Sequence, residues 1–335
     1  MNIAKPAIEP VRYGLIGFGR FCRNRLIPTF SQITGSKIVA LYKRDPELAK
    51  VTAKEFNIAA GYSRLEDLLA NPEVEAVYIT SAHADHEAQA IAAAQAGKHV
   101  LCEKPLATSV AACRNIIEAC RENRVLLMVG QTLRFSPLIE QMKSWIVEGR
   151  LGRVCYAQAY FAYDGTKSPR TWLYDRRVAG GGALMDVGVH CLDTLRFLLG
   201  EIAEIRGILS PPREVDPVER SAQIALHFAS GTLGSVFCSY EHPYRSRLEI
   251  MGELGRAWVE PFTLPWADVT VHVETSEDSQ SLRINTGNPY GALIESFSRS
   301  IRGPGAVAIP GEEGLRNLAL IEAVYSDRTN PEFNL

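Results

Sequence analysis

The chain carries three stretches whose residue types and spacing suit chemistry. The first is Gly17-Phe18-Gly19-Arg20-Phe21-Cys22, two glycines of a G-x-G-x-x-G pattern with cysteine in the third place. The first glycine permits a tight turn and the second lets the backbone approach a pyrophosphate. A helix starting there offers partnerless N–H groups and the positive end of its dipole. Alone, the match is weak, since an ordinary glycine turn reads the same. Here it follows a strand-like run, opens a helix-like one and precedes a second strand at βαβ distance, which favours dinucleotide binding. Cys22 is small enough for close packing but loosens the match. Gly17, Phe18, Gly19, Arg20 and Phe21 are therefore candidate cofactor contacts.

The end of the second strand discriminates between nucleotides. An acidic side chain about 20 residues past the first glycine hydrogen-bonds ribose hydroxyls, whereas basic ones suit a 2′-phosphate. The chain reads Tyr42-Lys43-Arg44-Asp45. Lys43 and Arg44 thus favour NADP(H), with NAD(H) as the alternative. The plainer account makes them solvated loop charges and Asp45 a helix cap.

The second stretch, Gly97-Lys98-His99-Val100-Leu101-Cys102-Glu103-Lys104-Pro105, is a strand ending in a charged pair and proline. Ligands of parallel α/β sheets bind at the carboxyl ends of strands, so Lys104 faces the cofactor crevice. An ammonium beside an oxidised nicotinamide meets a like charge, which eases its deprotonation and suits it to acid–base work. The third stretch runs from Gly180-Gly181-Gly182 through Asp186 and Gly188 to His190. Asp186 and His190, at i and i+4, share one face of a helix. Taken singly, a lysine before proline is usually a surface charge and a helical Asp/His pair a local contact.

In combination these segments resemble a known family. Glu103-Lys104-Pro105 matches its E-K-P motif, Ala96 to Cys102 the run before it, and Gly180 to His190 its G-G-G-x-x-x-D-x-G-x-H motif. The sequence resembles the glucose–fructose oxidoreductase, inositol dehydrogenase and rhizopine catabolism (Gfo/Idh/MocA) family. The likeness continues through Arg134-Phe135-Ser136-Pro137, Gly149 to Gly152, Asn288 to Phe297 and Gly311 to Tyr325.

The resemblance implies a Rossmann domain followed by an α+β domain built on a largely antiparallel open sheet. The exposed face of that sheet would join homodimers or homotetramers. It implies NAD(P)-dependent hydride transfer at nicotinamide C4, interconverting a secondary alcohol and ketone on a sugar, cyclitol or related polyhydroxy compound. His190 is then the principal acid/base, Lys104 polarises the oxygen, and Asp186 holds substrate and catalytic groups. A cis peptide is implied before Pro105. Ser81-Ala82-His83 stands where relatives have Thr-Pro-Asn, so Ser81 and His83 line the nicotinamide ribose beside Glu103, with the role of His83 open and His86 structural. Gln131-Thr132-Leu133-Arg134 replaces the commoner His-Asn-Tyr-Arg and alters the substrate wall. Arg134 is a candidate substrate contact; Tyr163 and Trp172, with Arg176 nearby, are candidate substrate contacts or packing residues. Two rival functions stay open: a nucleotide-sensing regulator without turnover, and a redox-neutral glycosidase or lyase working by transient oxidation with a tightly held cofactor.

The elements that must position these groups follow from periodicity. Strand-like runs at Arg12–Ile16, Lys37–Tyr42, Ala76–Thr80, His99–Cys102 and Val125–Val129 alternate with helical segments such as His86–Ala96, predicting a parallel sheet with right-handed crossovers. From Val154 the pattern changes to alternating strands, 154–163, 223–229, 232–240, 247–252 and 268–274, with a hairpin at Gly252–Gly255. One helix over Ala179–Leu199 interrupts them, and helices near Leu293–Ile301 and Gly311–Tyr325 follow. The expected domains are 1–132 for the nucleotide and 133–335 for substrate and self-association.

Composition bounds the partners. At 335 residues the chain has room for about two domains of roughly 100–200 residues each. Hydrophobic residues at 46% and charged ones at 22% fit a globule rather than a disordered chain. A formal charge of −2 without a dense basic stretch argues against nucleic acid. Seven scattered cysteines without a C-x-x-C pair read as buried reduced thiols. MNIAKPAIEP lacks a signal-peptide apolar core and no long uncharged apolar run follows, so a cytoplasmic, untethered protein is expected. Histidine and cysteine spacing supports no metal site, and neither a G-x-S-x-G elbow nor a P-loop is present.

Overall fold

The computed structural model describes residues 9–213, 215, 216 and 218–327, so most of the segment read for a leader lies outside the described residues. The chain divides into two compact units. The first gathers the chain up to Leu106 with Ala112–Gly130 and Tyr290–Gly311; the second gathers Ala107–Ala111, Gln131–Pro289 and the chain from Glu312. They are not the two uninterrupted segments 1–132 and 133–335, because a late helix belongs to the first unit.

The first unit is a six-stranded parallel sheet. Its strands are β1 (Val11–Ile16), β2 (Ser36–Tyr42), β3 (Ala60–Tyr62), β4 (Ala76–Ile79), β5 (His99–Glu103) and β6 (Leu127–Gly130), in the order β3-β2-β1-β4-β5-β6. Every residue of β4 is buried, as a strand covered on both faces requires. Asp45 starts helix Pro46–Glu55 by accepting the Leu48 N–H at 2.8 Å, with proline at the first helical position. Gly97, at φ +71°, follows the end of helix His86–Gln95. The returning helix Pro289–Arg302 is tied down by polar contacts: Ser298 Oγ lies 2.8 Å from the Tyr13 hydroxyl and 2.7 Å from Ser36 Oγ. Arg302 donates to both Glu75 carboxylate oxygens at 2.8 Å.

The second unit holds β7 (Val154–Asp164), β8 (Ile202–Ser210), β9 (Ser221–Phe228), β10 (Leu233–Ser239), β11 (Glu241–Gly252), β12 (Gly255–Val259), β13 (Asp268–Thr275) and β14 (Ser279–Asn285). The order is β14-β13-β12-β11-β7-β10-β9-β8, antiparallel throughout except that β7 and β10 run parallel. Ala157, Ala159, Ile224, Leu226 and Val236 are buried and alternate along their strands with more exposed residues, whereas in β11 Leu248, Glu249 and Ile250 are all buried.

Three expectations are corrected. The single helix over Ala179–Leu199 is instead a short helix Arg176–Ala179, a glycine turn, a π-helical turn Leu184–Gly188 and helix Val189–Leu199. The left-handed Gly180, at φ +81°, ends the short helix, and position 182 must be glycine because a Cβ there would lie 1.8 Å from the Glu219 carbonyl oxygen. Strands β3, β8, β12 and β14 are additional to those expected. Cys155 is exposed, whereas the other six cysteines are buried. Among the described residues no helix is long and apolar enough to cross a membrane.

Candidate functional site

In the first unit the chemistry-bearing loops leave adjacent strands. Gly17 follows β1, Ser81 follows β4 and Lys104 follows β5, and these strands are neighbours in the sheet. The turn at Gly17 is specific to glycine: φ is +84°, and a Cβ would lie 2.5 Å from the Ser81 amide nitrogen. Thr80 Oγ1 donates to the carbonyls of Ile16 and Gly17 at 3.0 Å, joining the two loops. A Cβ on Gly19, by contrast, would find nothing nearer than the Gly17 oxygen at 3.8 Å. That open space, at the start of the helical segment from Arg20, fits a pyrophosphate approaching backbone N–H groups.

The aromatic side chains of this loop serve packing. Phe18 is buried against Phe56 (ring centroids 5.4 Å apart), and Phe21 packs edge-on against Tyr290 (5.5 Å). Arg20 is exposed. Cys22 is buried with Sγ 3.0 Å from Thr80 Oγ1, and burial pushes its thiol up to about 11. Past β2, Lys43 Nζ sits 5.8 Å from the Phe18 ring centroid and Arg44 is exposed, while the Asp45 carboxylate is engaged as the helix cap.

His86 fastens the other side of this crevice. It is buried, with Nδ1 3.0 Å from the Pro105 carbonyl oxygen and Nε2 3.2 Å from that of Ser81. Burial lowers its basicity below the usual range, against the pull of those carbonyls, which suits a structural imidazole. His83 is buried with its ring 5.9 Å from that of His86. The Lys104–Pro105 peptide is cis. Glu103 accepts the Tyr78 hydroxyl at 2.6 Å and the Lys104 N–H at 3.3 Å. Desolvation raises its carboxyl above the usual carboxylate range, with Tyr78 and Lys104 opposing.

In the second unit Asp186 organises a compact polar group. It is buried and accepts the Tyr163 hydroxyl at 2.9 Å and two guanidinium N–H bonds from Arg170 at 3.2 and 3.1 Å. Arg170 also donates to the Tyr163 oxygen at 3.0 Å. Desolvation and the Asp186 charge both raise the Tyr163 phenol, so it stays protonated as a donor. His190 opens helix Val189–Leu199 half-buried, its ring 6.0 Å from that of Phe161. Trp172 is half-buried in the turn Thr171–Tyr174, and Arg176 is exposed.

Two residues absent from the sequence reading stand out. Arg170 lies in an irregular loop, where only the fold pairs it with Asp186. Glu219, fully buried, accepts Gly182 N–H at 3.0 Å, Leu184 N–H at 3.0 Å and the Tyr325 hydroxyl at 2.8 Å. It thereby fixes the glycine turn from which the Asp186 segment starts. Arg134, by contrast, is corrected. Its guanidinium donates to both Asp193 oxygens at 2.9 and 2.7 Å and to Glu313 at 2.6 Å, which makes it part of a buried ion cluster rather than a substrate wall.

Family comparison agrees with this layout. Residues 11–131 match an oxidoreductase family described by its NAD-binding Rossmann fold, and residues 139–258 match the GFO/IDH/MocA C-terminal domain. The chain belongs to the Gfo/Idh/MocA oxidoreductase family. As a member of it, the protein is an NAD(P)-dependent oxidoreductase acting on CH–OH or carbonyl groups. Among Gfo/Idh/MocA relatives, 1,5-anhydro-D-fructose reductase of Ensifer adhaerens is 31% identical over 92% of this chain and 93% of its own. The crystal structure of an aldose-aldose oxidoreductase from Caulobacter crescentus complexed with glycerol superposes with a TM-score of 0.89 at 27% identity, covering 97% of this chain and 100% of that one. A 3-ketoreductase from Actinomadura kijaniata, in complex with TDP-benzene and NADP, gives a TM-score of 0.84 at 25% identity over 94% and 97% of the two chains.

Proposed function

We propose that this enzyme prefers NADP(H) and interconverts a secondary alcohol and a ketone on a sugar, cyclitol or related polyhydroxy substrate. The observation that carries the coenzyme preference is the engagement of Asp45. Its carboxylate caps the following helix through Leu48 N–H, so the side chains after β2 left for a ribose substituent are the cations Lys43 and Arg44. The glycine turn and the open approach at Gly19 fit the pyrophosphate. The NADP bound by the 3-ketoreductase and the sugar chemistry of the named relatives support the same reading.

The bound coenzyme supplies hydride exchange at nicotinamide C4. Gly17 and Gly19 hold the pyrophosphate by backbone contact, and Ser81 borders the nicotinamide ribose. Lys104 donates to the substrate oxygen and stabilises charge developing there. His190 gives or takes the hydroxyl proton. Asp186 acts with Tyr163 and Arg170: it neutralises the guanidinium and orders the polar surface a polyol meets. The outward face of the eight-stranded sheet, bearing Tyr160, Phe237 and Trp258, is assigned to self-association.

The test is a spectrophotometric panel of sugars and cyclitols with NADP+ and NAD+, repeated in the reducing direction with keto sugars. Turnover of at least one polyol with kcat/KM at least ten-fold higher for NADP+ is expected. Lys104→Ala and His190→Ala remove that turnover while NADPH fluorescence titrations stay within about three-fold of the parent. Retained turnover in either variant, or an equal preference for NAD+, overturns the corresponding assignment.

A further inference from the structure

Glu103 neither exchanges the substrate proton nor holds the pyrophosphate, yet its carboxylate is fixed at both oxygens. Oε1 accepts the Tyr78 hydroxyl at 2.6 Å, and Oε2 accepts the N–H of Lys104 at 3.3 Å. Tyr78 stands within β4 with no exposed surface, so its phenol is a donor held rigidly by the sheet. On the opposite side β6 pairs Gly130 with Glu103, and a Cβ there would lie 3.0 Å from Oε1; glycine leaves room for the carboxylate. The carboxylate thus ties an interior strand of the sheet to the main chain of Lys104.

The charges around the pair have one sense. Desolvation works against an ionised Glu103, while the Tyr78 hydroxyl and the Lys104 charge work for it. The other titratable groups near the pair are the Cys22 and Cys102 thiols and the Tyr290 phenol. Burial raises all three, Cys22 to about 11 and Tyr290 to about 12, so they stay neutral at neutral pH. Burial and the Glu103 charge raise the Tyr78 phenol too, so Tyr78 keeps its proton and remains a donor. An ionised carboxylate close to an ammonium favours the charged form of that ammonium.

We propose that Tyr78 is a positioning residue that acts through Glu103. Its hydrogen bond keeps the carboxylate in place and ionised to lower pH than desolvation alone would allow, and the carboxylate in turn holds Lys104 as an ammonium. This deepens the reading of Lys104 as the donor to the substrate oxygen and rests on it. Beside a cationic oxidised nicotinamide an ammonium loses its proton more readily, and Glu103 opposes that loss.

The experiment is reductive methylation of the full-length protein with isotopically labelled formaldehyde, then an NMR pH titration of the Lys104 dimethylamine signal in the presence of saturating NADPH. Absence of the signal in Lys104→Arg identifies it. The parent shows a main alkaline step from Lys104 and a smaller step at lower pH from Glu103. Glu103→Gln moves the alkaline step down by about one pH unit or more and abolishes the lower step. Tyr78→Phe, which deletes only the hydroxyl, moves the lower step up by about one unit. The double variant matches Glu103→Gln, because Tyr78 acts only through the carboxylate. An alkaline step that stays put in Glu103→Gln overturns the counter-charge. A lower step that stays put in Tyr78→Phe, or a double variant shifted beyond Glu103→Gln, overturns the role of Tyr78. A lowered Tm in both single variants with both steps in place makes the pair a structural contact and overturns the proposal as a whole. Turnover that survives in Lys104→Ala is a separate result: it strikes the assignment of Lys104 to the substrate oxygen, and the titration still decides whether Tyr78 and Glu103 govern the Lys104 proton.

Discussion

Replacing Arg134 separates a structural from a substrate-binding arginine. Its side chain is 11% exposed, against 1% for Asp193 and 15% for Glu313. Arg134→Met keeps most of the volume but leaves Asp193 with the Asn317 amide at 2.8 Å, and leaves Glu313 to Arg316 at 2.7 Å and Arg196 at 3.3 Å. Removing one partner of a buried pair costs about 3–5 kcal/mol. At about 2–4 °C per kcal/mol for a unit of this size, Tm falls by roughly 6–20 °C. Glu313 adds a pH signature. Burial works to raise its carboxyl, but Arg196 and Arg134 overcome this and hold it below the usual range. A lowered folded-state value means stability that is present above the unfolded value of about 4.3 and is lost as pH falls through the folded one. Arg134→Met therefore moves the acid-unfolding midpoint upward. The assay is thermal and acid denaturation by circular dichroism, alongside KM on the folded enzyme. A Tm within 2 °C of the parent together with a ten-fold rise in KM would refute the structural assignment.

Three further predictions concern the loops around the site. Gly17→Ala lowers both thermal stability and coenzyme affinity, because the added methyl meets the Ser81 backbone, whereas Gly19→Ala leaves Tm unchanged and weakens NADPH at least ten-fold; equal Tm values for the two would sink the distinction. Lys43→Asp with Arg44→Ser lowers the NADPH/NADH affinity ratio at least ten-fold in fluorescence titration, and an unchanged ratio would return both cations to the role of loop charges. Glu219→Ala strands two N–H groups and the Tyr325 hydroxyl, each costing about 1–3 kcal/mol, and lowers Tm by several degrees or more, while Glu219→Gln retains an acceptor and most of the stability; indistinguishable melting curves for the two would contradict this.

What could be read from sequence was what is local. The G-x-G turn, the Glu103-Lys104-Pro105 strand end and the alternation in β9 each state their geometry within a few residues. β14 was missed because its exposed, polar sequence Ser279–Asn285 lacks the apolar alternation of a half-buried strand. β3 spans three residues, too few for any period to show. The parallel pairing of β7 with β10 is set by the connection between them, to which neither strand's own sequence bears witness. The site divides the same way. Lys104 and His190 sit in motifs, but the Arg170–Asp186 bonds, the Glu219 cap and the Arg134–Glu313 pair join distant segments, and charge alone does not name its partner.

The return of helix Pro289–Arg302 to the first unit bears on how the enzyme can be built. A nascent chain that has emerged only through β6 lacks Ser298 for the Tyr13 hydroxyl, Arg302 for Glu75, and the Ile309 carbonyl that accepts the Val129 N–H at 2.9 Å. All six strands of the nucleotide-binding sheet are made first, but the unit gains its last segment, Tyr290–Gly311, only after the strands of the other unit have been synthesised. The loops assigned to the coenzyme, from Gly17 to Lys104, are thus made early, while the helix whose Ser298 and Arg302 tie down their unit arrives last.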